Sequence, residues 1–580
     1  LVFSSIGFES QEIAVGGRTT INVVLKEAAE LLDEVVVIGY GAVKKSDLTS
    51  SIATVKGDEI TETVTGNAMD ALQGKVNGVQ VTSGGGPGAT PKVLIRGVTT
   101  VNGTNPLYVV DGMPVGDNIN FLNSNDIASM EVLKDASAAA IYGTRASNGV
   151  ILITTKKGKT GKARINWNSS VGFQTVAKPN IAGAAEYKEV FNTRYTNDGL
   201  SSIWNDTGAT TNPGGTDWWD TVVNKTALVQ NHSLSVAGGS EQFVYNFSVG
   251  YYRNNSQFDV GYWDKINIRL NTEYTFNKYV KLGVDIAPRV ESWDDTPNQF
   301  SAAMAMDPTT PVFRPQDQWE DNEYNNYQRS YNNQEWNPAG SIARSNAHSR
   351  ELGAILNTYL QVFVPKFNMD PLEKQDLNEI PRRNQEWFDW NWTNTATYMD
   401  TFAEKHNLNV MAGFTAERFA WYNTQARRDN VPNNLDQMQE VNAGQQGTDE
   451  ANGETTYNTL VSFLGRVMYN YDNRYYISAS LRADGSSRFP KGSKYALFPS
   501  VSASWRVISE AFMQDQDIFS DLKLRGGWGR VGNQNINNNA TLTLLSETQY
   551  YYGNTLANGY FVSTVGNNQL KWETVEDWNV

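Results

Sequence analysis

Cysteine is absent from the 580 residues of the sequence. That absence excludes disulfide bonds, thiolate metal sites and a cysteine nucleophile. Only three histidines occur, and they lie far apart without the spacing of metal ligands: His232, His348 and His406. The H-E-x-x-H and G-x-S-x-G motifs of hydrolases are missing as well. The sequence therefore predicts that the protein is not an enzyme and holds neither a metal nor a cofactor.

The sequence also lacks net positive charge and long apolar runs. Acidic residues number 62 against 48 basic ones, so the net charge is -14. Proteins that bind nucleic acid usually present a basic face, and we expect no nucleic-acid partner. No run of eighteen apolar residues predicts a transmembrane helix. Aromatic residues and glycines are abundant instead, with 27 Tyr, 16 Trp and 48 Gly. This composition favours a mainly β chain with many turns.

The stretch DEVVVIGYGAVKKSD, residues 33–47, begins like a phosphate-binding loop. It has an apolar strand, two glycines and Lys-Ser. The Walker A loop and the G-x-G-x-x-G fingerprint each require a glycine where Lys44 stands. The following TSSIATVKGDEI also lacks the period of an amphipathic helix. These departures argue against nucleotide binding.

From residue 163 onward, apolar and polar residues alternate over long stretches. In INIRLNTEYTF the apolar face carries Ile266, Ile268 and Leu270, and in SVSASWRV a row of serines lies opposite Val501 and Trp505. Successive side chains of a strand point to opposite faces. A soluble antiparallel sheet buries the apolar face, whereas a membrane barrel turns it toward lipid and the polar face toward a lumen. The alternation alone is compatible with both.

Three further features favour the membrane barrel. The strands are often ten residues or longer, against a usual length of about five or six. Tyrosines cluster at strand ends, at Tyr469, Tyr471 and Tyr475, where an aromatic girdle would lie. Short connections such as NYDNRY alternate with long polar ones at residues 177–226 and 291–350, as expected for inner turns and outer loops. Roughly 14 candidate strands follow residue 163 by their alternation.

Residues 49–160 have a mixed pattern that predicts a compact α/β unit of about a hundred residues. A short helix is predicted at 68–76, and strands at GVQVTS, KVLIRGV and PLYVVDGMPV. The segment NDIASMEVLKDASAAAIYG predicts helix, strand and helix, with a cap at Asn125 or Asp126.

Two motifs allow a functional and a structural interpretation. In DWWD, Trp218 and Trp219 would either stack on a sugar or anchor a loop or strand end. In WETVEDW, the carboxylates of Glu573, Glu576 and Asp577 could form an acid/base pair. A position on the polar face of a strand is the simpler interpretation of these three residues.

Seven segments together resemble the SusC/RagA-type TonB-dependent outer-membrane transporters: LDEVVVIGYGAVKKSDLTSSI, LQGKVNGVQV, VLIRGV, PLYVVDGMPV, NDIASMEVLKDASAAAIYGTRASNGVILITTKKG, LRADGSSRF and LFPSVSASWRV. The resemblance covers essentially the whole chain. It implies a mainly β fold, a large antiparallel transmembrane β-barrel of about 22 strands with an α/β plug inside the lumen. We expect a partial chain, with only part of the barrel present.

The resemblance also divides the chain into four regions. Residues 1–28 would be the end of a carboxypeptidase-regulatory-like β-sandwich domain, and residues 29–48 the TonB box and its linker. Residues 49–160 would form the plug, and residues 161–580 the barrel, incomplete at its C-terminus. The expected location is the outer membrane of a Gram-negative bacterium of the Bacteroidetes type.

Site residues follow from the same resemblance. The TonB box would comprise Asp33, Glu34, Val35, Val36, Val37, Ile38 and Gly39. Such a β-branched run with a free edge can accept a partner strand. Arg96 and Asp111 are expected to keep the plug docked in the barrel. The loops at 83–90 and 99–105 are expected to face the ligand, and Asn102 and Asn105 would be either ligand contacts or turn residues.

The implied function is TonB-dependent import of oligomeric nutrients, glycans or peptides. The expected partners are TonB, a SusD-like surface lipoprotein that lids the barrel, and outer-membrane lipid; family members often form a dimer of transporter–lipoprotein pairs. Ligand occupancy would be signalled through the plug to the box, and TonB would then remodel the plug with force from the proton gradient. Two alternatives stay open: a TonB-dependent receptor for iron chelates or cobalamin without a lid, and a soluble secreted β-rich glycan-binding protein.

Overall fold

The computed structural model describes most of the chain. The described residues are 2–3, 11–12, 23, 35–38, 41–44, 49, 52–63, 65–100, 102–116, 119–199, 212–224, 226–294, 298–319, 326–333, 335–345, 348–364, 367–376, 383–427, 450–513, 516, 518–519, 521–553 and 555–580. Strands dominate throughout. None of the helices in these ranges is long and apolar enough to cross a membrane.

The N-terminal elements are two short antiparallel pairs. Strand β1 (Val2–Phe3) pairs with β2 (Gln11–Glu12), and β3 (Val35–Ile38) pairs with β4 (Gly41–Lys44). Lys44 therefore lies in a strand and not in a phosphate-binding loop. Of the predicted TonB box, Asp33, Glu34 and Gly39 lie outside the described residues.

An α/β domain follows, with a five-stranded sheet in the order β5-β10-β11-β8-β9. Only the β8–β11 pair is parallel. Its elements are β5 (Ile52–Lys56), α1 (Gly57–Thr61), β6 (Val79–Thr82), β7 (Lys92–Ile95), β8 (Leu107–Val110), β9 (Met113–Val115), β10 (Ile127–Leu133), α2 (Ala136–Ala139) and β11 (Val150–Thr155). Strands β6 and β7 form a separate hairpin. The central strands β8 and β11 are buried on both faces, which accounts for the continuous apolar runs LYVV and VILI.

The helices of this domain are shorter than the sequence predicts. The predicted helix at 68–76 is a 3₁₀ turn, Asp70–Leu72, because Gly74 next adopts a φ of +74° that no helix accommodates. The predicted cap at Asn125 or Asp126 is wrong. Asn123 is the cap, since its side chain accepts a 3.0 Å hydrogen bond from the Asn125 N–H at the start of the 3₁₀ turn Ser124–Asp126. A further 3₁₀ segment, Ala140–Arg145, follows α2.

The described residues from 161 onward form one large antiparallel sheet of fifteen strands and a separate hairpin. The strands are β12 (Gly161–Gln174), β13 (Ala227–Gly239), β14 (Phe243–Asn255), β15 (Tyr262–Asn277), β16 (Val280–Asp294), β17 (His348–Val364), β18 (Phe367–Asp376), β19 (Arg383–Trp387), β20 (Trp390–Phe402), β21 (His406–Arg427), β22 (Glu450–Tyr471), β23 (Tyr475–Ser486), β24 (Tyr495–Arg506), β25 (Lys523–Asn533), β26 (Leu544–Tyr552), β27 (Thr555–Thr564) and β28 (Glu573–Asn579). Strands that are adjacent in the chain pair with each other, with two exceptions. Strand β18 pairs with β20, while the short β19 pairs with β21 next to β20, and β25 pairs with β28.

The two faces of the large sheet decide between the two interpretations of the alternation. Along β15 the polar residues Lys265, Asn267 and Arg269 are buried, whereas Ile266 and Ile268 are 46% and 38% exposed. Strand β24 repeats this, with Ser500 and Ser502 buried and Val501 exposed. A soluble sheet would bury the opposite face. The pattern is that of a barrel with a polar interior and a lipid-facing exterior, as the membrane interpretation predicts.

The two ends of the large sheet differ in their connections. Tight turns close one end, here called the inner end, such as the turn through Asp472 and Asn473, both at positive φ. Long segments connect the strands at the outer end. The predicted outer loop at 291–350 is too long, because β16 extends to Asp294 and β17 begins at His348. At the inner end Tyr475 stacks between Tyr471 and Trp505, with centroid distances of 6.5 Å to each, as a girdle requires.

The outer segments contain short helices that the sequence did not predict: α3 (Ala184–Asn197), α4 (Trp218–Val222), α5 (Phe300–Ala305) and α6 (Pro338–Ala343). Trp218 and Trp219 are buried with Phe258 and Met306 in an apolar cluster beneath these segments. The Trp218 indole N–H donates to the Asp307 carbonyl at 2.9 Å. The tryptophan pair therefore anchors a loop, and the sugar-stacking interpretation is wrong.

Candidate functional site

The candidate functional site is the interface between the α/β domain and the polar face of the large sheet. Strands near both ends of the sheet contact this domain. The Asn246 side chain of β14 donates to the Lys156 carbonyl at 2.8 Å, and Ser502 of β24 hydrogen-bonds Thr49 at 2.6 Å. The sheet thus curves around the domain, which fills the space within it.

The first anchor is Asp111, which the sequence singled out. It lies in the turn between β8 and β9, with φ of +48° followed by +85° at Gly112, as in a hairpin turn with both central residues left-handed. Its carboxylate accepts hydrogen bonds from the Thr155 N–H at 2.9 Å and from Arg269 Nη2 at 2.7 Å. Arg269 also pairs with Asp285 of the adjacent strand. One buried guanidinium therefore joins the domain to two barrel strands.

Arg96 makes the second predicted anchor. It has a φ of +56°, which is uncommon for a residue with a side chain. Its guanidinium lies 2.5 Å from Asp135 within the domain and 3.6 Å from Asp577 of β28. The Arg96 side chain is 41% exposed, so water screens these pairs. The docking role of Arg96 and Asp111 stays a prediction, which the following substitutions address.

We expect Arg269→Ala to weaken docking more than Arg96→Ala. Removing Arg269 leaves the buried carboxylates of Asp111 and Asp285 without their cation, which costs about 3–5 kcal/mol. Thermal unfolding and resting ion conductance of the full-length protein would measure the loss. Arg530→Ala is the matched control, because Arg530 pairs with Glu576 at an exposed site and such pairs contribute about 0–1 kcal/mol. Equal effects of all three substitutions would contradict the assignment.

Lys265 is an anchor that the sequence analysis missed. This buried lysine of β15 donates to the backbone carbonyls of Gly66 at 3.0 Å, of Leu122 at 2.8 Å and of Asn120. Its ammonium group also lies 5.0 Å from the Trp263 ring centroid. Carbonyls and an aromatic face replace the water around the charge. A lysine in mid-strand on the polar face was the available signal, but its carbonyl partners lie 143 to 199 residues away in the chain.

A further cluster joins the 3₁₀ segment Ala140–Arg145 to strands β22 and β23. Arg482 donates to the Asp484 carboxylate at 2.6 Å, to Ser462 Oγ at 2.8 Å and to the Ile141 carbonyl at 2.8 Å. Asp484 in turn accepts from the Thr144 N–H at 2.9 Å. Every one of these groups is buried, so the cluster fixes the segment against the barrel wall.

Two neighbouring features complete this contact. Arg145 donates to Glu417 at 2.8 Å, with the Glu417 side chain 1% exposed. Gly143 has a φ of +64°, and a Cβ built there would overlap both Arg482 and Asp484.

Elsewhere in the domain, burial raises the pKa of the Asp126 carboxyl, although attraction to Arg269 and Lys156 opposes the shift.

A cavity of about 340 Å³ opens above this contact toward the outer end. Asn102 and Asn105 line it, together with Asn148 of the domain and Asn458 and Arg488 of the barrel. The structure thus brings both predicted loop asparagines into one polar cavity. The Asn102 side chain donates to Glu573 at 3.1 Å, and Asn533 donates to the Asn102 carbonyl at 3.0 Å. These contacts position the loop, and a role in ligand binding stays a prediction.

The other candidate groups have structural partners. Glu573, Glu576 and Asp577 contact Asn102, Arg530 and Arg96 respectively, so they do not form an acid/base pair. The histidines remain separate, hydrogen-bonded to Ser169, Asp294 and Tyr469. Among the residues that the structure describes, no group of His, Asp or Glu could hold a metal ion.

The described part of the predicted TonB box, Val35–Ile38, is one arm of a hairpin with Ile38 opposite Gly41. Residues that flank a two-residue hairpin loop form a hydrogen-bonded pair, and the alternation then places Val36 in such a pair with Val43. Val35 and Val37 direct their backbone groups to the other edge. That edge is the one on which a partner strand could add.

Sequence comparisons agree with this architecture. The family model of the TonB-dependent Receptor Plug Domain matches residues 44–150. The TonB-dependent receptor SusC of Bacteroides thetaiotaomicron is 32% identical over the whole chain, and the TonB-dependent receptor P26 of Formosa agariphila is 30% identical over the whole chain. The chain spans 61% of the length of each of these relatives.

Solved structures give the same result. The RagAB peptide importer in its open-open state superposes with a TM-score of 0.80 at 26% identity, covering 94% of this chain and 66% of the matched chain. The siderophore receptor PirA of Acinetobacter baumannii superposes with a TM-score of 0.53 at 14% identity, covering 91% and 67%. The second likeness shows the fold alone.

Proposed function

This chain belongs to the SusC/RagA-type TonB-dependent transporters, and on that premise we propose that the whole protein imports oligomeric nutrients across an outer membrane. Its α/β domain is the plug, and its large sheet is the described part of the barrel. The proposed import is energised by TonB acting on residues 33–39 and is assisted by a SusD-like surface lipoprotein that lids the barrel. It makes or breaks no covalent bond.

The observation that carries this proposal is the outer cavity. Plug and barrel residues line it jointly, and the buried contact at Ala140–Arg145 lies beneath it. A ligand held there touches the part of the molecule that must move to let it pass. Occupancy can therefore be coupled to the state of the plug, as active import requires.

The lining favours a polar oligomer, and it also contains the guanidinium groups of Arg145 and Arg488. Side-chain amides predominate, at Asn102, Asn105, Asn148, Asn458 and Asn535, beside Phe419. An amide both donates and accepts, so it suits sugar hydroxyls and peptide groups alike. Similarity to SusC and to the RagAB peptide importer supports glycans or peptides as the two substrate classes.

The remaining partners and the location belong to the same proposal. Val35 and Val37 offer a strand edge for TonB, and the exposed apolar band of the barrel offers a surface for lipid. Relatives from Bacteroides and Formosa support a Bacteroidetes-like source. A dimer of transporter–lipoprotein pairs is part of the proposal. The soluble glycan-binding alternative fails because the apolar strand faces are exposed, and the likeness to siderophore receptors extends only to the fold.

The proposal is tested by purifying the native full-length protein in detergent and identifying what accompanies it by mass spectrometry. We expect a SusD-like lipoprotein in equal amount, with oligosaccharide or peptide still bound. The bound oligomer would identify the substrate class directly. A transporter that purifies alone, carrying an iron chelate or cobalamin, would replace the proposal with the receptor alternative.

A further inference from the structure

A second cavity, of about 480 Å³, lies at the inner end of the same barrel wall. It is formed by strands β20–β23. Most of its lining residues lie on the luminal face: Met399, Thr401, Asn407, Asn409, Met468, Asn470 and Tyr476. The alternate residues Asp400, Leu408, Tyr469 and Ile477 also border it. Cross-strand register places Thr401 beside Asn407, Asn407 beside Asn470 and Asn470 beside Tyr476. These side chains therefore form one continuous polar row across four strands.

The inner and outer cavities lie on one continuous face. Asn409 of the inner cavity and Phe419 of the outer cavity both belong to the luminal face of β21, because ten residues separate them and side chains alternate. At about 3.3 Å per residue, that is about 33 Å along the strand. The neighbouring β22 has the same arrangement, with Asn470 in the inner cavity and Asn458 in the outer one.

On β21 the luminal face is most deeply buried between the two cavities. Along β21, Met411, Thr415 and Glu417 are 1%, 0% and 2% exposed, whereas Asn409 is only partly buried. The 3₁₀ segment Ala140–Arg145 contributes to this cover, because Arg145 pairs with Glu417 and because Tyr142 belongs to the same buried apolar cluster as Met411. The segment also packs on β23 and β25. This segment therefore contacts the luminal face of β21 between the two cavities.

The two cavities share part of their chemistry, while Arg145 and Arg488 line the outer cavity alone. Amides line both, and each has an aromatic side chain, Phe419 in the outer cavity and Tyr476 in the inner one. A ligand that is bound through hydroxyl or amide groups above the segment meets the same kind of groups below it. Repeated weak sites of one type allow a ligand to enter and also to leave.

We propose that the transport path follows the β20–β23 wall, that the inner cavity is a transit site for the same hydroxyl- or amide-rich oligomer, and that Ala140–Arg145 is the gate between the two cavities. This inference rests on the proposed import function and specifies its route. The gate opens when the segment leaves Arg482, Asp484 and Glu417, and the rest of the plug keeps its separate anchor at Arg269.

The test is potassium conductance of the full-length protein in planar lipid bilayers, without nutrient and without TonB. Arg145→Ala, which removes the gate contact to Glu417, should raise the resting conductance severalfold. In that background, Thr401→Cys modified with a bulky maleimide should remove most of the added current. Thr275→Cys is the matched control, because Thr275 lies on the polar face near the inner end of β15, four strands away along the sheet. The chain has no other cysteine, so each label is specific.

Each outcome decides the proposal. The proposal is supported if the maleimide label at position 401 blocks the added current and the label at position 275 does not. Block through 275, or through both positions equally, overturns the route along β20–β23. The gate is overturned if Arg145→Ala and Glu417→Gln each leave the resting conductance at the level of the natural sequence. Migration on a gel without heating would show that the barrel of each variant is folded. Because the assay contains neither nutrient nor lipoprotein, these results are independent of whether the protein imports oligomers.

Discussion

Gly143→Ala is expected to release the plug from the barrel wall. Gly143 has a φ of +64° and a ψ of -127°, and a residue with a Cβ in so sparsely populated a conformation costs about 1–3 kcal/mol. The added methyl group would also overlap Arg482 and Asp484, and breaking a buried ion pair costs about 3–5 kcal/mol. The resting potassium conductance should rise, and the segment at 140–145 should become accessible to protease in the full-length protein.

Gly74→Ala separates backbone strain from overlap. Gly74 is also in the plug with a positive φ, of +74°, but a Cβ there would meet no atom within 4 Å. It should lower stability by about 1–2 kcal/mol and leave the plug sealed. If the two variants behave alike, the tight contact at Gly143 does not hold the plug.

Val37→Pro is expected to abolish binding of TonB. Proline has no N–H and fixes its φ, so it cannot donate from the free edge of the box strand. The alternation of hydrogen-bonded pairs directs the backbone groups of Val37 away from β4, so the pairing of β3 with β4 should survive the substitution. Affinity for the periplasmic domain of TonB, measured with the purified full-length protein, should fall below detection.

Val37→Ile is the matched variant for this prediction. Isoleucine keeps the N–H and the β-branched side chain, so TonB binding should stay near that of the natural sequence. Both variants should retain the proposed lipoprotein partner and a sealed plug, since the substitution lies outside the α/β domain and the large sheet. Strong TonB binding by Val37→Pro would show that strand addition at this edge is not how the box is recognised.

The sequence predicted the strands well and the short helices poorly. Period-two alternation over ten residues or more identified β15 and β24, because a barrel strand has one face in lipid and one in a polar lumen. Helix α3 was missed because it has no buried residue, so its sequence carries no apolar stripe. The 3₁₀ segments of the plug were predicted as helices, since three to six residues do not establish a helical period.

The candidate site was only partly accessible from the sequence. Family motifs identified Arg96 and Asp111, and their loops, but not their partners. Asp577 is 481 positions beyond Arg96, and Arg269 is 158 beyond Asp111, so these pairs exist only once the sheet has closed around the plug. Gly143 appeared unremarkable within AIYGTR, because the need for glycine arises from Arg482 and Asp484 on another strand.

Uptake by intact cells tests the central claim most directly. Cells that lack the native gene would express the full-length natural sequence, Val37→Pro or Val37→Ile, and receive the labelled oligomer that copurifies with the protein. Energy-dependent accumulation with the natural sequence and with Val37→Ile, and none with Val37→Pro, is the predicted result. Equal accumulation by all three proteins, or accumulation that persists after the proton gradient is collapsed, would contradict TonB-dependent import.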